Sequence, residues 1–444
     1  MECESWPEIT LLDIADIRHG FAFKGEYFSE VPQPFVLTTP GNFSVGGGFQ
    51  VGKPKYYAGP VPEDYVLSSG DLLVTMTDLS KASDTLGFGA VVPTTQKSTY
   101  LHNQRVGLVR VNRPDAVSRK WLHYLLRSNA YRAWVLGSAS GTTVKHTSPS
   151  RICSYRFRLP PLDEQERVAA LLDSLQGRID LLRETNTTLE AIAQTMFKSW
   201  FVDFGPVRAK AEGREPEGMD AATAALFPSE FEESELGLIP RGWSVCPFGV
   251  LGLLTKGTVS PMGAPDAAFD HYSLPAFDVD QLPKRELGAE IKSNKTPVPS
   301  GSVLISKLNP HIPRIWFVGH ASEHAVCSTE FLVWTPSHLA SAELLYCLAT
   351  SAPFGSLMCQ LVNGTSNSHQ RVKPDQLASI PVVAAPAAIA DAFATSTQVL
   401  FQKLLTNRLQ ATSLANLRDT LLPRLISGKL RLPEAEAAIA EALA

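Results

Sequence analysis

Two loops of the sequence combine the residue types that bind phosphates and base edges. Residues 141–146 read GTTVKH and residues 364–369 read GTSNSH, so one pattern occurs twice. Small residues let a backbone approach a partner closely, and hydroxyl, amide, lysine, arginine and histidine groups bond phosphates and base edges. A solvated loop that only leads into the next strand is the alternative, and recurrence in both copies favours binding. The residues of the loops and their tails predicted to contact nucleic acid are Thr142, Thr143, Lys145, His146, Ser148, Arg151, Ser366, Asn367, Ser368, His369, Arg371 and Lys373.

Two short apolar segments that precede these loops share a second pattern. Residues 69–77 read SGDLLVTMT and residues 300–308 read SGSVLISKL, which is typical of a strand that follows a Ser-Gly turn. We predict further nucleic-acid contacts from the polar ends of these strands. They are Thr75, Thr77, Lys81, Ser306 and Lys307.

Local charge supports nucleic-acid binding in the first copy. Between Lys97 and Arg158 the sequence has twelve lysines and arginines against one acid, Asp115. Such an excess favours a polyanion as partner, whereas an ordinary soluble surface mixes both signs. The second copy lacks the excess, because acids offset its basic residues. The whole chain carries a net charge of −4, so any binding of DNA must be local.

Motifs of known catalytic sites are missing from the sequence. None of the spacings GxxxxGK[ST], HExxH or GxSxG occurs. Asp266, Glu290 and Lys292 could form the magnesium-binding set of a nuclease, although such a spacing arises easily by chance. His320 and His324 have metal-like spacing, but no neighbouring residues complete a convincing ligand set.

Length and cysteine content bound the class of protein. The 444 residues suffice for about two to four domains. The six cysteines include no CxxC pair, which disfavours a zinc cage and fits reduced thiols in the cytoplasm. No apolar run approaches about 18 residues, so we expect neither a membrane span nor a membrane partner.

The elements that would position the loops also occur twice. Each copy has a β-rich region, a proline and a long amphipathic helix, and such self-similarity determines the architecture. The seam of the first helix steps by three and four through Leu172, Leu175, Ile179, Leu182, Asn186, Leu189, Ala193 and Met196. Adding 225 to each number gives the second seam: Thr397, Leu400, Leu404, Asn407, Ala411, Leu414, Arg418 and Leu421.

Two apolar stripes of equal length are expected to pack on each other as an antiparallel pair. The predicted fold is therefore α+β: two β-rich domains joined by two long antiparallel helices, with an approximate internal two-fold. The predicted segments are 1–155 and 238–380 for the domains, 156–206 and 381–428 for the helices, 207–237 for a linker and 429–444 for a tail. Each seam carries one central Asn, either buried and fixing the register or facing solvent at the seam's edge.

The sequence resembles the DNA-specificity subunits of type I restriction–modification enzymes. The resembling stretches are LPPLDEQERVAALLDSL at 159–175, LEAIAQTMFKSWFVDFGPVRAKAEG at 189–213, LGLIPRGW at 236–243 and LRDTLLPRLISGKL at 417–430. One departure is VVAAPAAIADAF at 382–393, where the family would have Leu-Pro-Pro-Leu and Glu-Gln. Whether the second helix docks a partner at its start as the first does is therefore open.

The resemblance implies that each β-rich region is a target-recognition domain that reads one half of a split double-stranded DNA site. It implies that the helices bind methyltransferase subunits, two in number, and set the spacing between the halves. Restriction or translocase subunits are further partners. S-adenosylmethionine, ATP and magnesium would then bind to partner subunits, and this chain would be non-catalytic. A metal-dependent nuclease and a protein scaffold without a role on DNA are the alternatives.

Overall fold

The computed structural model describes residues 6–78, 84–95, 98–141, 144–362 and 370–443. The chain divides into two compact units, residues 1–178 with 413–444, and residues 179–412. We call residues 6–158 of the first unit the first head and residues 244–384 of the second unit the second head. Two long helices contribute residues to both units.

The first head is built from short strands and short helices. Its strands are β1 (Glu8–Thr10), β2 (Ala15–His19), β3 (Phe28–Ser29), β4 (Phe35–Thr38), β5 (Tyr56–Tyr57), β6 (Leu72–Thr75), β7 (Thr77–Asp78), β8 (Gly89–Val91), β9 (Thr99–His102), β10 (Val106–Val111), β11 (Lys145–His146) and β12 (Arg156–Arg158). Its helices are α1 (Arg119–Leu125), α2 (Asn129–Gly137) and α3 (Pro149–Cys153), and the long helix α4 (Leu162–Phe197) follows.

Two four-stranded sheets carry the first head. Their strand orders are β2-β10-β6-β8 and β3-β5-β4-β9, and β4 runs parallel to β9. The core lies between them, where Leu73 and Val106 of one sheet meet Val36 and Tyr100 of the other. Around this core, two-residue strands and irregular loops place many connecting segments at the surface, where recognition residues commonly lie.

The segment between the heads and the second head add further elements. They are α5 (Gly205–Ala211), α6 (Ala221–Ala225), β13 (Phe231–Ser234), β14 (Gly237–Pro240), β15 (Ser244–Pro247), α7 (Phe248–Leu251), β16 (Gly252–Leu254), β17 (Ala268–Tyr272), α8 (Leu274–Val279), β18 (Lys284–Leu287), β19 (Thr296–Pro297), β20 (Ser302–Ser306), β21 (Ile315–Val318), β22 (Ala325–Cys327), β23 (Phe331–Pro336), α9 (Ala342–Thr350), α10 (Ala352–Gln360), α11 (Pro374–Ala378) and β24 (Pro381–Ala384). The second long helix α12 (Ala387–Ile426) and the tail helix α13 (Leu432–Leu443) complete the chain.

The second head repeats the strand order of the first head's first sheet and the parallel pair of its second sheet, while one edge strand of the second sheet lies on the opposite side. Its orders are β16-β23-β20-β21 and β18-β17-β22-β19, with β17 parallel to β22. Strand β20 is buried on both faces, because Leu304 packs between the sheets while Val303 and Ile305 face the helix side. Burial on both faces explains why its sequence is continuously apolar instead of alternating. The predicted internal repeat is therefore confirmed.

The predicted seams of the long helices are largely buried. In the second unit, Asn407 Nδ2 donates to Asn186 Oδ1 at 3.0 Å and Asn186 Nδ2 donates to the carbonyl of Leu404 at 3.1 Å. Both asparagines are buried, so the prediction that they face solvent at the seam's edge is wrong. Since each amide finds its partner only in one alignment, the pair specifies the register of the two helices within this unit. In the first unit, Arg418 donates to Gln176.

The start of α4 is fixed to the first head by one side chain. Gln165 is fully buried, and its Nε2 donates to the carbonyls of Ala116 and Pro160 at 2.9 and 2.8 Å. Its Oε1 accepts the N–H of Ser118 at 2.9 Å. The equivalent residue of α12 is Ala390, which is also buried. The second helix lacks the Glu-Gln pair of the first. At the glutamine position, this departure is a difference in the internal packing of the unit.

The segment predicted as a linker is folded. Phe227 of this segment is buried and its ring lies 5.2 Å from that of Trp200, while Phe204 packs 5.7 Å from Trp243. These aromatic contacts belong to the core of the second unit. The predicted tail forms a helix, α13, in which Ala435 is buried.

Candidate nucleic-acid interface

The ends of β6 and β20 are built in the same way. Thr75 Oγ1 donates to the carbonyl of Thr77 at 2.9 Å, and Ser306 Oγ donates to the carbonyl of Leu308 at 3.2 Å. A hydroxyl that bonds the carbonyl two residues ahead stabilises a turn of the chain at the end of the strand. Both side chains are buried, at 0% and 3% exposure. The prediction that these two hydroxyls contact DNA directly is therefore wrong, because the folded chain covers them.

The loop that follows the helices of each head returns to this strand end. In the first head β11 pairs with β7, so that His146 lies opposite Thr77. In the second head Arg371 forms a bridge with Leu308. The next backbone bond repeats as well, since the N–H groups of Thr147 and Val372 each donate to a strand-end carbonyl at 3.0 Å. Loop and strand end therefore form one edge in each head, here called the reading edge.

The structure corrects the predicted alignment of the two loops. Ser128 caps α2 and Ser351 caps α10, and these residues are 223 positions apart. His146 and Arg371, which hold the same place opposite the strand end, are 225 positions apart. The second loop is thus two residues longer, and the counterpart of His146 is Arg371 instead of His369. The predicted contacts that lie outside the described residues are Lys81, Thr142, Thr143, Ser366, Asn367, Ser368 and His369.

A third residue completes each reading edge, and sequence reasoning missed it. The N–H of Met76 donates to the carbonyl of Arg105 at 3.1 Å, and the N–H of Lys307 donates to the carbonyl of Glu330 at 2.9 Å. Arg105 and Glu330 directly precede β10 and β23, the strands that pair with β6 and β20. They too are 225 positions apart, which is the offset that relates the seams of the two long helices. Applying this offset to the heads would have aligned the two residues with each other.

The reading edge of the first head is basic. Arg105 and His146 are exposed, and His146 Nδ1 lies 3.2 Å from Thr77 Oγ1. This hydrogen bond orients the imidazole while leaving the exposed ring within reach of a partner. Lys145 is half-buried beside it. A guanidinium, an imidazole and an ammonium on one edge suit phosphate oxygens and the acceptors of guanine.

Two other predicted residues of the first loop support it from within. Ser148 Oγ accepts the N–H of Arg151 at 3.4 Å and caps α3. Arg151 Nη1 donates to the carbonyl of Ser138 at 2.5 Å, which ties the two ends of the loop together. Gly141 has φ +98°, and a Cβ there would lie 2.0 Å from the carbonyl oxygen of Val144. The loop therefore requires glycine at this position.

The reading edge of the second head is closer to neutral. Arg371 donates from Nε and Nη2 to the two carboxylate oxygens of Glu330 at 3.1 and 2.9 Å. This pairing raises the pKa of Arg371 further above its ordinary value. Lys307 is half-buried, and Lys373 is exposed at the start of α11. The two equivalent positions thus carry Arg and His in the first head, and Glu and Arg in the second.

The basic excess of the first head is smaller on the surface than in the sequence. Lys120 pairs with Asp173 at 3.0 Å and Arg156 with Glu8 at 3.8 Å, so acids from outside the counted segment neutralise them. Arg132 is also withdrawn, because its guanidinium lies 4.4 Å from the centre of the Phe88 ring. The basic groups of the reading edge contribute to the local charge that could attract a polyanion.

Comparison with known proteins agrees with this geometry. Residues 4–191 match the family model described as the type I restriction modification DNA specificity domain. This match spans the first head and most of α4. The resemblance identified from the sequence to type I specificity subunits is therefore confirmed.

Two curated relatives and one solved structure extend the likeness beyond the specificity domain. The chain is 25% identical over 368 residues to the type I restriction enzyme HindI specificity subunit of Haemophilus influenzae, which covers 71% of this chain and 78% of that protein. It is 23% identical over 342 residues to the MjaIX specificity subunit of Methanocaldococcus jannaschii, covering 72% and 71%. The S subunit of a type I system from M. genitalium shares the fold with a TM-score of 0.55 at 14% identity, over 95% and 96% of the chains.

The three residues of the alternative nuclease site lie in the second head. Glu290 Oε2 accepts the N–H of Leu287 at 2.9 Å and so caps a short turn, while Asp266 and Lys292 are exposed. Among the described residues, no group of three or more His, Cys, Asp or Glu side chains could hold a metal ion. Within the same ranges, none of the helices is both long and apolar enough to span a membrane.

Proposed function

We propose that this chain is the sequence-reading subunit of a type I restriction–modification complex. Each head binds one half of a split double-stranded DNA target through its reading edge. The two long helices bind methyltransferase subunits, and restriction or translocase subunits join through them. The chain itself performs no chemistry, so that S-adenosylmethionine, ATP and magnesium belong to the partner subunits.

One observation carries this proposal: the two reading edges share a backbone frame and differ in side chains. Backbone bonds place Arg105 and His146 in the first head where they place Glu330 and Arg371 in the second. A protein that reads two different half-sites requires such a repeated frame with exchanged contact groups. Base edges are distinguished by the donors and acceptors presented to them, and these two sets present different ones.

The helices offer surfaces that fit a protein partner. Leu181 and Ile192 of α4 are exposed, as are Val399 and Leu409 of α12. Scattered single apolar residues on a surface are ordinary, but four on one pair of long helices form a candidate contact area for another protein. The seams face inward within each unit, so these residues are extra to the pairing of the two helices.

The test is DNA binding by the chain assembled with its methyltransferase subunits. We expect a shift of target duplex in a gel that weakens steeply as salt rises, since phosphate contacts release counterions. Altering either half of the target should reduce binding, whereas altering the unread gap should not. Binding that ignores both the sequence and the salt would favour the protein scaffold. Metal-dependent cleavage by the isolated chain would favour the nuclease.

A further inference from the structure

The second head contains a cleft beside its reading edge. It has a volume of about 760 Å³, within the range of small-molecule sites. Its walls come from the end of β20, the segment leading into β21, the end of α8, and helices α9 and α10. Ser306, which ends β20, and Pro310, which follows the reading edge, both line it. A ligand in the cleft would therefore lie next to the groups proposed to contact DNA.

At the equivalent helix position of the first head, an arginine side chain occupies the space. Arg132 of α2 donates to the carbonyl of Leu86 and stacks on Phe88. The helix caps Ser128 and Ser351 align α2 with α10, which makes Gly355 the counterpart of Arg132. A Cβ added at Gly355 would meet nothing within 4 Å. The second head thus leaves open the space that a planar cationic side chain takes in the first.

An unsatisfied acceptor marks the wall of the cleft. Gln281, which lines it, has φ +51° and a buried Oε1 without a hydrogen-bond partner in the described part of the chain. Left-handed backbone is costly for residues other than glycine, and buried oxygens without donors are rare. The presence of both features at one residue of the cleft wall indicates a ligand that donates hydrogen bonds.

The remaining lining determines the kind of donor. Phe277, Tyr346 and Met358 supply apolar and aromatic walls, which suit a flat ring. Arg314 also lines the cleft, but it is neutralised by Asp278 through bonds of 2.6 and 2.9 Å. Because Asp278 neutralises Arg314, a cationic ligand would gain little electrostatic attraction in this cleft. A neutral, planar hydrogen-bond donor fits better.

We propose that the cleft binds a nucleobase with an exocyclic amino group, which donates to Gln281 Oε1 while the ring packs on the aromatic wall. This inference rests on the proposed function, because in the complex the base would come from the DNA that the second head holds beside the cleft. The base would be one that is unstacked and rotated out of the duplex, as enzymes acting on bases achieve. Thymine, which lacks the amino group, would be disfavoured.

Two variants separate binding from folding. Gln281→Gly removes the acceptor and places glycine where φ is positive, so its melting temperature should not fall. Gly355→Arg fills the cleft as Arg132 fills its counterpart, and arginine is a better helix former than glycine. Gly263→Arg is the matched control, since a side chain there also meets nothing within 4 Å but lies outside the cleft.

The first measurement is calorimetric titration of the full chain with deoxycytidine, deoxyadenosine and thymidine. We expect the two amino-bearing nucleosides to bind about tenfold or more tightly than thymidine, the usual value of one well-placed hydrogen bond. Gln281→Gly and Gly355→Arg should abolish the difference, and Gly263→Arg should keep it. Equal binding of all three nucleosides, or unchanged preference in both cleft variants, would overturn the proposal.

The second measurement asks whether the base comes from DNA. The target duplex carries 2-aminopurine, which fluoresces when unstacked, at successive positions of the second half-site. Binding by the assembled complex should raise the fluorescence at one position, and Gly355→Arg should remove the rise while the gel shift persists. A normal shift without any rise would refute the cleft proposal and leave the proposed function standing. Absence of the shift itself would refute the proposed function.

Discussion

The two heads share their backbone frame and differ in what they place on it. In both, backbone N–H and carbonyl groups place the reading edge, and the buried hydroxyls of Thr75 and Ser306 stabilise the strand ends behind it. The edge therefore tolerates Arg105 and His146 in one head, and Glu330 and Arg371 in the other. Recognition can change by substitution without a change of fold, because the energy of the frame comes from backbone bonds.

The interiors of the heads differ more than their frames do. Gln165 bonds three backbone groups of the first unit, whereas Ala390 only packs. In the parallel strand pairs, His102 of the first head holds the place of Cys327 in the second. These buried polar groups make the stability of the first head depend on hydrogen bonds and on pH in ways that the second does not share.

The largest expected effect comes from Gln165→Ala. The change leaves the N–H of Ser118 and the carbonyls of Ala116 and Pro160 without their partner in a buried place. Each such loss costs about 1–3 kcal/mol, so we expect about 3 kcal/mol of destabilisation after relaxation. Hydrogen exchange should show faster opening around α1 while the second head stays protected. Glu166→Ala, an exposed neighbour, is the control, and equal protection in both variants would contradict the assignment.

Acid should weaken the first head next. Burial lowers the pKa of His102 to about 4 from an ordinary value of 6.5, despite its 2.8 Å bond to the carbonyl of Val106. The unfolded chain therefore binds the proton first, and stability falls as pH drops from 6.5 towards 4. Each pH unit in this range removes about 1.4 kcal/mol from the free energy of unfolding, which gives about 3 kcal/mol in total. Burial raises the pKa of Cys327 to about 12, so this counterpart of His102 in the second head gains no charge in acid. Burial lowers the pKa of His271 in the second head as well, so that head also loses some stability in acid.

The measurement is urea unfolding at pH 7 and pH 5, with proteolytic cuts mapped to show which head opens. The first head should lose the greater stability at the lower pH. His102→Cys copies the residue of the second head and should remove the share of this difference that His102 contributes. The rest comes from His123, because burial lowers its pKa to about 3. If the variant keeps the full pH dependence, another group of the first head is responsible.

The long helices were the most predictable part of the molecule. An apolar residue every third or fourth position identifies a seam directly, and α4 and α12 begin at Leu162 and Ala387, each directly after a proline. The heads were recognisable as β-rich from turn residues and apolar runs. Their sheet order was not, because antiparallel and parallel partners lie far apart along the chain and leave no local trace.

The reading edges were predicted only in part. Thr75 and Ser306 end apolar strands, which suggested exposure, but their hydroxyls satisfy the carbonyls two residues ahead. Arg105 and Glu330 reach the edge by strand pairing, a contact that no spacing within the loop reveals. The two-residue insertion in the second loop misaligned His146 with His369, since both loops end in histidine.

A double change at the first reading edge tests recognition directly. Arg105→Ala with His146→Ala removes two exposed groups whose neighbours are held by the backbone, so the fold should persist. We expect a loss of about 2 kcal/mol, or ~30-fold, for one half-site only, the typical value of a good base contact. Binding should be compared on duplexes altered in one half at a time. Loss of affinity that is equal for all sequences would assign these residues to phosphates instead.

The smallest expected effect separates charge from frame at the second edge. Glu330→Ala frees Arg371, whose side chain is half exposed, while the backbone bond from Lys307 to residue 330 remains. An exposed ion pair is worth less than about 1 kcal/mol, so folding should hardly change. The released guanidinium can take a phosphate, which should steepen the dependence of the logarithm of the binding constant on the logarithm of salt by about one. Glu323→Ala is the control, since it removes the same charge from an exposed site of the second head that is not part of the reading edge. If both variants steepen the dependence alike, Arg371 gains nothing from its release, and only net charge distinguishes the second edge from the first.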